Sequence, residues 1–383
     1  MQTTLDDAYV GALYVHIPFC ERICHYCDFA KTLAKPALVD DYLQALGIEL
    51  AMHRFTPATL KTVYLGGGTP SCLDEAHMET LFNHLRHALA SKALEEVSIE
   101  CNPGDVTLAY ARRLKALGLN RVSLGIQSFD ERHLRFLGRR HDRSLAERSV
   151  RNLKDAGFDN IAVDLLFAIP GQTLEDLHTD LQAVLALDVE HISYYHLSIE
   201  KNTRLHVKRT RGEFIETDED LAADMYETLI DVLVENGYDH YEISNFAKPG
   251  KTSRHNMAYW RDEDYLGVGC AAHSKVDMKR WFNHTRVRSY IDAVKTSGSP
   301  VEATYPFEGV KDALMMGLRL SEGVDLDRLN TRYRTDALKR YPRLHEEIKR
   351  GLLVYEHPRL RLGRRGMALA NCVFAALEDD EDV

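Results

Sequence analysis

Three cysteines, Cys20, Cys24 and Cys27, fall within eight positions of the stretch HIPFCERICHYCDF, which runs from His16 to Phe29. The C-x3-C-x2-C spacing lets three thiolates on one loop converge on one face of a metal centre. A structural zinc site wants a closed tetrahedron and would have to recruit a fourth donor, for which His25 is the obvious candidate. Ordinary iron-sulfur clusters also take four cysteines. Three ligands on a four-iron cluster leave one iron open. An open iron can hold a small cofactor through amino and carboxylate groups, provided a pocket for that cofactor lies alongside.

The elements that must position such a loop are legible as β-rich runs. LYVHI, TVYLGG, EVSIE, RVSLGI, NIAVDLLF and HISYYHLSI occur between Leu13 and about Phe246, each followed by an amphipathic helical pattern. This alternation predicts an α/β fold built on a parallel barrel or partial barrel of six βα units, and periodicity alone fits an open doubly wound sheet as well. In barrels the reactive groups sit on the loops at the C-terminal ends of the strands. Polar and glycine-rich punctuation falls there: the cysteine loop, GGGTP at Gly66 to Pro70, Glu100, Gln127 and Asp164. Between about Tyr238 and Pro300 the pattern turns irregular and rich in aromatics, histidine and glycine. From Pro306 onward, helical patterns and the two-strand pattern LLVYEHPRLRLG predict a smaller winged-helix-like domain. The expected division is a barrel over 1–246, an irregular connection over 247–304 and the C-terminal domain over 305–383. The final EDDEDV reads as a solvated tail.

Composition narrows the function classes. A chain of 383 residues with seven cysteines, no apolar N-terminal stretch able to act as a secretory signal and no run long enough to span a membrane is expected to be cytoplasmic, with thiols used as ligands. A formal net charge of −10 argues against a nucleic-acid binder. Residues 325–365 do carry twelve Lys and Arg against six Asp and Glu, yet a winged helix serves for packing as readily as for reading DNA, and no nucleic-acid partner is expected.

HIPFCERICHYCDF resembles the signature of radical S-adenosylmethionine (SAM) proteins, within the HemN/HemW branch that holds oxygen-independent coproporphyrinogen oxidases and haem chaperones. The resemblance covers nearly the whole chain. It implies a [4Fe-4S] cluster on Cys20, Cys24 and Cys27, with SAM on the fourth iron. It further implies that Gly67, Gly68 and Thr69 approach the methionine end of SAM, that Glu100 engages the same part, and that Gln127, Arg139 and Asp164 meet its ribose and carboxylate. Tyr26 would fall near the adenine, and Tyr14 would face substrate or cofactor. Glycine suits a segment that a ligand must approach closely.

The sequence departs from the oxidases at Phe29, where they carry a further cysteine, and in beginning only thirteen residues before Tyr14. Both departures are shared with the haem chaperones. HNMAYW, His255 to Trp260, resembles the HNxxYW motif of that group, which makes His255, Tyr259 and Trp260 candidate haem contacts, with His273 a second candidate ligand. Cys72, Cys101, Cys270 and Cys372 read as structural, Cys270 being the one to check as a thioether or ligand partner of haem. The expected function is a haem chaperone that binds the cluster, SAM and haem and hands haem to acceptor proteins, respiratory ones among them. The alternative is a radical enzyme acting on coproporphyrinogen or a related tetrapyrrole. A nucleic-acid-linked regulator is the remote third reading.

Overall fold

The computed structural model describes residues 10–53 and 59–378; the expected tail lies almost entirely outside them. In chain order the strands are β1 (Ala12–Ile17), β2 (Phe19–Cys20), β3 (Thr32–Leu33), β4 (Thr62–Gly67), β5 (Glu96–Cys101), β6 (Arg121–Gln127), β7 (Ile161–Phe167), β8 (His191–His196), β9 (Asp239–Glu242), β10 (Asn245–Ala247), β11 (Tyr265–Val268), β12 (His273–Val276), β13 (Lys279–Asn283), β14 (Val301–Tyr305), β15 (Val324–Asp325), β16 (Leu353–Glu356) and β17 (Arg359–Leu362). The six predicted runs form β1, β4, β5, β6, β7 and β8, hydrogen-bonded in that order and all parallel. A doubly wound sheet reverses strand order at a switch point. Here the order never reverses, so the α/β fold is the partial barrel.

The parallel strands bury both faces, as crossover helices require. Leu13, Val15 and Ile17 of β1 are fully buried on one side, and Ala12 and His16 are buried on the other. Local signals set the helix ends. Asp130 accepts hydrogen bonds from the backbone N–H groups of Arg132 and His133 to start the helix Glu131–Leu137, and Gly138, at φ +80°, ends it in the left-handed region. The next residue, Arg139, is thereby turned into the barrel mouth.

The stretch 247–304 differs from expectation, being regular rather than irregular. β11 pairs parallel with β1, and β12, β13 and β14 follow antiparallel, extending the main sheet to twelve strands with β9 and β10 at the far edge. These strands are four or five residues long and broken by turns, too short to show a period against their aromatic and charged neighbours. In the C-terminal domain the helical stretch 337–350 is interrupted at Tyr341–Pro342 into Ala337–Arg340 and Leu344–Lys349. Proline disfavours helical geometry in the residue before it and lacks the amide that would continue the helix. The hairpin β16–β17 gains β15 as a third strand.

Candidate functional site

The cysteine loop leaves β1 and is pinned by β2 and β3, a two-residue parallel pair. Cys20 is buried, while Cys24 and Cys27 are partly exposed. The Cys20 thiol receives a hydrogen bond from Thr69 Oγ1 (3.5 Å) and Cys24 Sγ one from Arg139 Nη1 (3.4 Å). The three sulfurs lie close enough for the charges of Cys24 and Cys27 to raise Cys20, and that of Cys24 to raise Cys27. Burial pushes Cys20 up to about 11 and Cys27 in the same direction, with Lys31 opposing; a thiol that coordinates a metal is deprotonated outright. His25, the alternative fourth donor, bonds the Phe136 carbonyl through Nδ1 at 2.9 Å and packs its ring on Gly138.

GGGTP does more than leave room for a ligand. A Cβ on Gly67, which sits at φ +119°, would strike the His16 ring at 2.6 Å, and one on Gly68 would strike the Phe19 carbonyl at 2.7 Å. The Gly68 and Thr69 amides bond the carbonyls of Ile17 and Phe19 (2.8 and 2.7 Å). The glycines therefore lock the segment onto the backbone that carries Cys20.

Glu100 stands at the end of β5, its Oε1 accepting from the Tyr64 hydroxyl (2.9 Å) and its Oε2 from the Gly67 amide (3.1 Å). Burial raises it to about 7, with the Asp164 carboxylate adding to the effect. A cationic ligand beside it would favour the ionised form. Asp164 accepts from Ser123 Oγ at 3.0 Å. Gln127 adopts φ +70° at a bulge between β6 and β7, a left-handed conformation that is uncommon outside glycine. Its amide lies against Gly125 beside Arg139, whose guanidinium also donates to Asn102 Oδ1 (2.7 Å) and to the Gly125 carbonyl. Tyr26 packs on a small second core of Leu137, Leu166, Ile169, Leu197 and Leu205, close enough to Arg139 and Asp164 to feel their charges. Asn102 is a contact the sequence reading missed. It lies two residues past Glu100 and links Thr69 to Arg139.

His255 is placed differently from the expectation of a haem ligand. It sits in the helix Arg254–Trp260, capped by Ser253, and is 1 % exposed. Its Nδ1 is paired with Thr62 Oγ1 (2.9 Å) and its Nε2 with the Tyr259 hydroxyl (2.7 Å). Burial lowers it to about 3, so the ring is neutral and has no nitrogen left for iron. Tyr259 and Trp260 do reach a cavity of about 530 Å3, which Tyr14, Phe29 and, from the C-terminal domain, Phe307 also line. Phe29 is 66 % exposed at its edge, two residues from Cys27. Cys270 is fully buried beneath Tyr42, whose hydroxyl meets its amide, and does not line this cavity. The sequence reading also missed His16, Lys275 and Arg280 on the cavity wall. They fall on β1, β12 and β13, and no spacing rule joins strands so far apart in the chain.

Residues 14–184 match the radical SAM superfamily and residues 308–369 the HemN C-terminal domain. The chain is 37 % identical to the heme chaperone HemW of Lactococcus lactis over 95 % of its own length and 96 % of that protein's. The chain belongs to the HemW family. The HemW of Bacillus subtilis is 35 % identical over 95 % of this chain and 98 % of its own. The solved structure of coproporphyrinogen III oxidase (HemN) from Escherichia coli superposes with a TM-score of 0.82 at 21 % identity, covering 98 % of this chain and 91 % of that one, and shows the shared fold. As a radical SAM member, this HemW-family chain takes a [4Fe-4S] cluster and SAM as cofactors. The residues present fit them: three thiols on one loop, a carboxylate held by Tyr64 and Gly67, and a guanidinium beside a cysteine. No described helix is long and apolar enough to cross a membrane.

Proposed function

We propose that the protein is a cytoplasmic haem chaperone. It holds the cluster on Cys20, Cys24 and Cys27 with SAM beside it, carries haem in the 530 Å3 cavity, and passes haem to acceptor apoproteins, respiratory ones among them. The cavity is the observation that carries this reading. Its volume is in the range of cofactor sites, and its wall combines flat aromatic faces with a few polar groups, as such sites do. It opens beside the cysteine loop, at the position where Phe29 replaces the further cysteine of the oxidases.

When bound, the cluster and SAM supply one-electron chemistry and a charged ligand whose presence the chain can sense. Glu100 is suited to hold the ammonium of SAM, Arg139 its carboxylate, and Gln127 and Asp164 its ribose. From Glu100 a continuous set of contacts leads to the haem cavity. Tyr64 bonds Glu100 and stacks on His255 (5.1 Å between ring centroids), and His255 bonds Tyr259 on the cavity wall. In this reading SAM and the cluster act as a switch on haem loading and release.

The test is anaerobic haem titration of apo and cluster-reconstituted protein, with and without SAM, followed by transfer to an apo acceptor. Stoichiometric binding whose release changes with SAM is the expected result. Equal loading and transfer by apo and reconstituted protein would remove the switch. No haem binding, together with conversion of coproporphyrinogen under reducing conditions, would replace the chaperone reading by the enzyme.

A further inference from the structure

We propose that the haem iron is bound by Nε2 of His273 on β12, and that Arg280 on β13 meets a haem carboxylate; this rests on the haem-carrier reading above. Three histidines belong to the cavity wall or to the HNxxYW motif, and two of them are spent. His16 is held by the Tyr14 hydroxyl (3.0 Å) and the Ala30 carbonyl (2.9 Å), and His255 by Thr62 and Tyr259. His273 lines the cavity and is exposed. Its Nδ1 faces the Tyr305 hydroxyl at 2.9 Å, while Nε2 has no hydrogen-bond partner among the described residues.

That pairing is what a metal-binding imidazole needs. With Nδ1–H donating to Tyr305, the lone pair lies on Nε2, and that one hydrogen bond fixes both tautomer and ring direction. The ring is also stacked on Phe282, at 5.4 Å and 23°.

Strand register places the remaining groups. His273 and Lys275 alternate onto one face of β12, and across the ladder Phe282 lies opposite His273 and Arg280 opposite Lys275. Lys275 is committed to Asp262, both to its carboxylate and to its carbonyl. Arg280 pairs with Asp312 (3.0 Å), lies over the Tyr305 ring, and keeps a buried Nε–H without an acceptor among the described residues. The Arg280 guanidinium on the cavity wall is the group that would meet a haem carboxylate. A macrocycle ligated at His273 would rest against the faces of Tyr259, Trp260 and Phe307.

The experiment titrates cluster-reconstituted full-length wild type, His273→Ala and Arg280→Gln with ferric haem and, separately, with iron-free protoporphyrin. Axial ligation is read by electron paramagnetic resonance, and folding by circular dichroism and iron content. Wild type should show a histidine-ligated iron. His273→Ala should lose that signature and bind haem roughly tenfold or more weakly, since removing even an outer partner of a metal ligand costs ~10–100-fold. The same variant should bind iron-free protoporphyrin as wild type does, and added imidazole should restore the iron signature. Arg280→Gln should weaken both porphyrins alike. Wild-type ligation in a folded His273→Ala variant overturns the assignment while leaving the carrier reading intact. Failure of wild type itself to bind haem removes both. If His273→Ala does not fold, His273→Gln is read by the same signature, and its retention overturns the proposal.

Discussion

At the scale of single residues, the HNxxYW histidine is a structural centre as much as a functional one. Its ring joins β4, through Thr62, to its own helix, through Tyr259, and the Glu96 carboxylate accepts from its backbone amide (3.2 Å). Replacing it by alanine empties a buried site and leaves two hydroxyls without their partner. His255→Ala should therefore cost roughly 2–4 kcal/mol in urea unfolding of the metal-free protein, while a haem ligand signature persists. Loss of that signature in the folded variant would restore His255 as a ligand. Glu49 makes a second residue-scale prediction. Fully buried, it accepts from the Gly269 amide (2.8 Å), Asn283 Nδ2 (2.7 Å) and the Tyr290 hydroxyl, yet burial outweighs these bonds and raises it to about 7. Because its pKa is higher folded than unfolded, the native chain binds more protons between about pH 4.5 and about pH 7, so stability falls as pH rises through that window. The upper bound is roughly 3.5 kcal/mol at ~1.4 kcal/mol per pKa unit. Glu49→Gln should flatten the profile measured by urea unfolding from about pH 5 to about pH 8; an unchanged slope would assign the dependence to other groups.

At the scale of elements, the cysteine loop owes its shape to the segment after β4. Gly68 lies so close to Phe19 that any Cβ there must displace the loop that begins at Cys20. Gly68→Ala is expected to fold with a loss of about 1–3 kcal/mol and to take up markedly less iron on reconstitution, measured as iron per chain. Wild-type iron content in that variant would show that the loop yields without moving its thiols. The C-x3-C-x2-C spacing and the β-rich runs were legible because each lies within a few consecutive residues, where spacing and period are local properties. The strands β11–β14 were not, since each is only four or five residues long and their pairing with β1 and with one another is decided by tertiary contacts.

For the whole molecule, the C-terminal domain is docked onto the barrel extension through a buried charge cluster. Asp262 faces Lys275 on β12, Arg332 (3.3 Å) and the Tyr333 hydroxyl, and the Asp262 and Lys275 side chains are 10 % and 6 % exposed. Removing one member strands the other's charge in the interior. Asp262→Ala should destabilise the fold by about 3–5 kcal/mol and expose the C-terminal domain to proteolysis ahead of the barrel. Proteolysis in step with the barrel would show that docking rests on apolar packing alone. The same cluster forms one wall of the cavity, so haem affinity should fall with it. The sequence by itself determined the α/β class with its six βα units, the three-thiol loop, the acidic and amide residues at strand ends and the family resemblance, because those signals are carried by neighbouring residues or by strand-length periods; the strand order that makes the sheet a partial barrel came from the structure. Only the tertiary structure decided that His255 is enclosed while His273 is presented, and that Phe29, Trp260, Arg280 and Phe307 share one cavity. The partners that occupy His255 include Thr62, 193 residues away along the chain. Which nitrogen remains free depends on hydrogen bonds of that range, and they exist only once the sheet has closed and the C-terminal domain has packed against it.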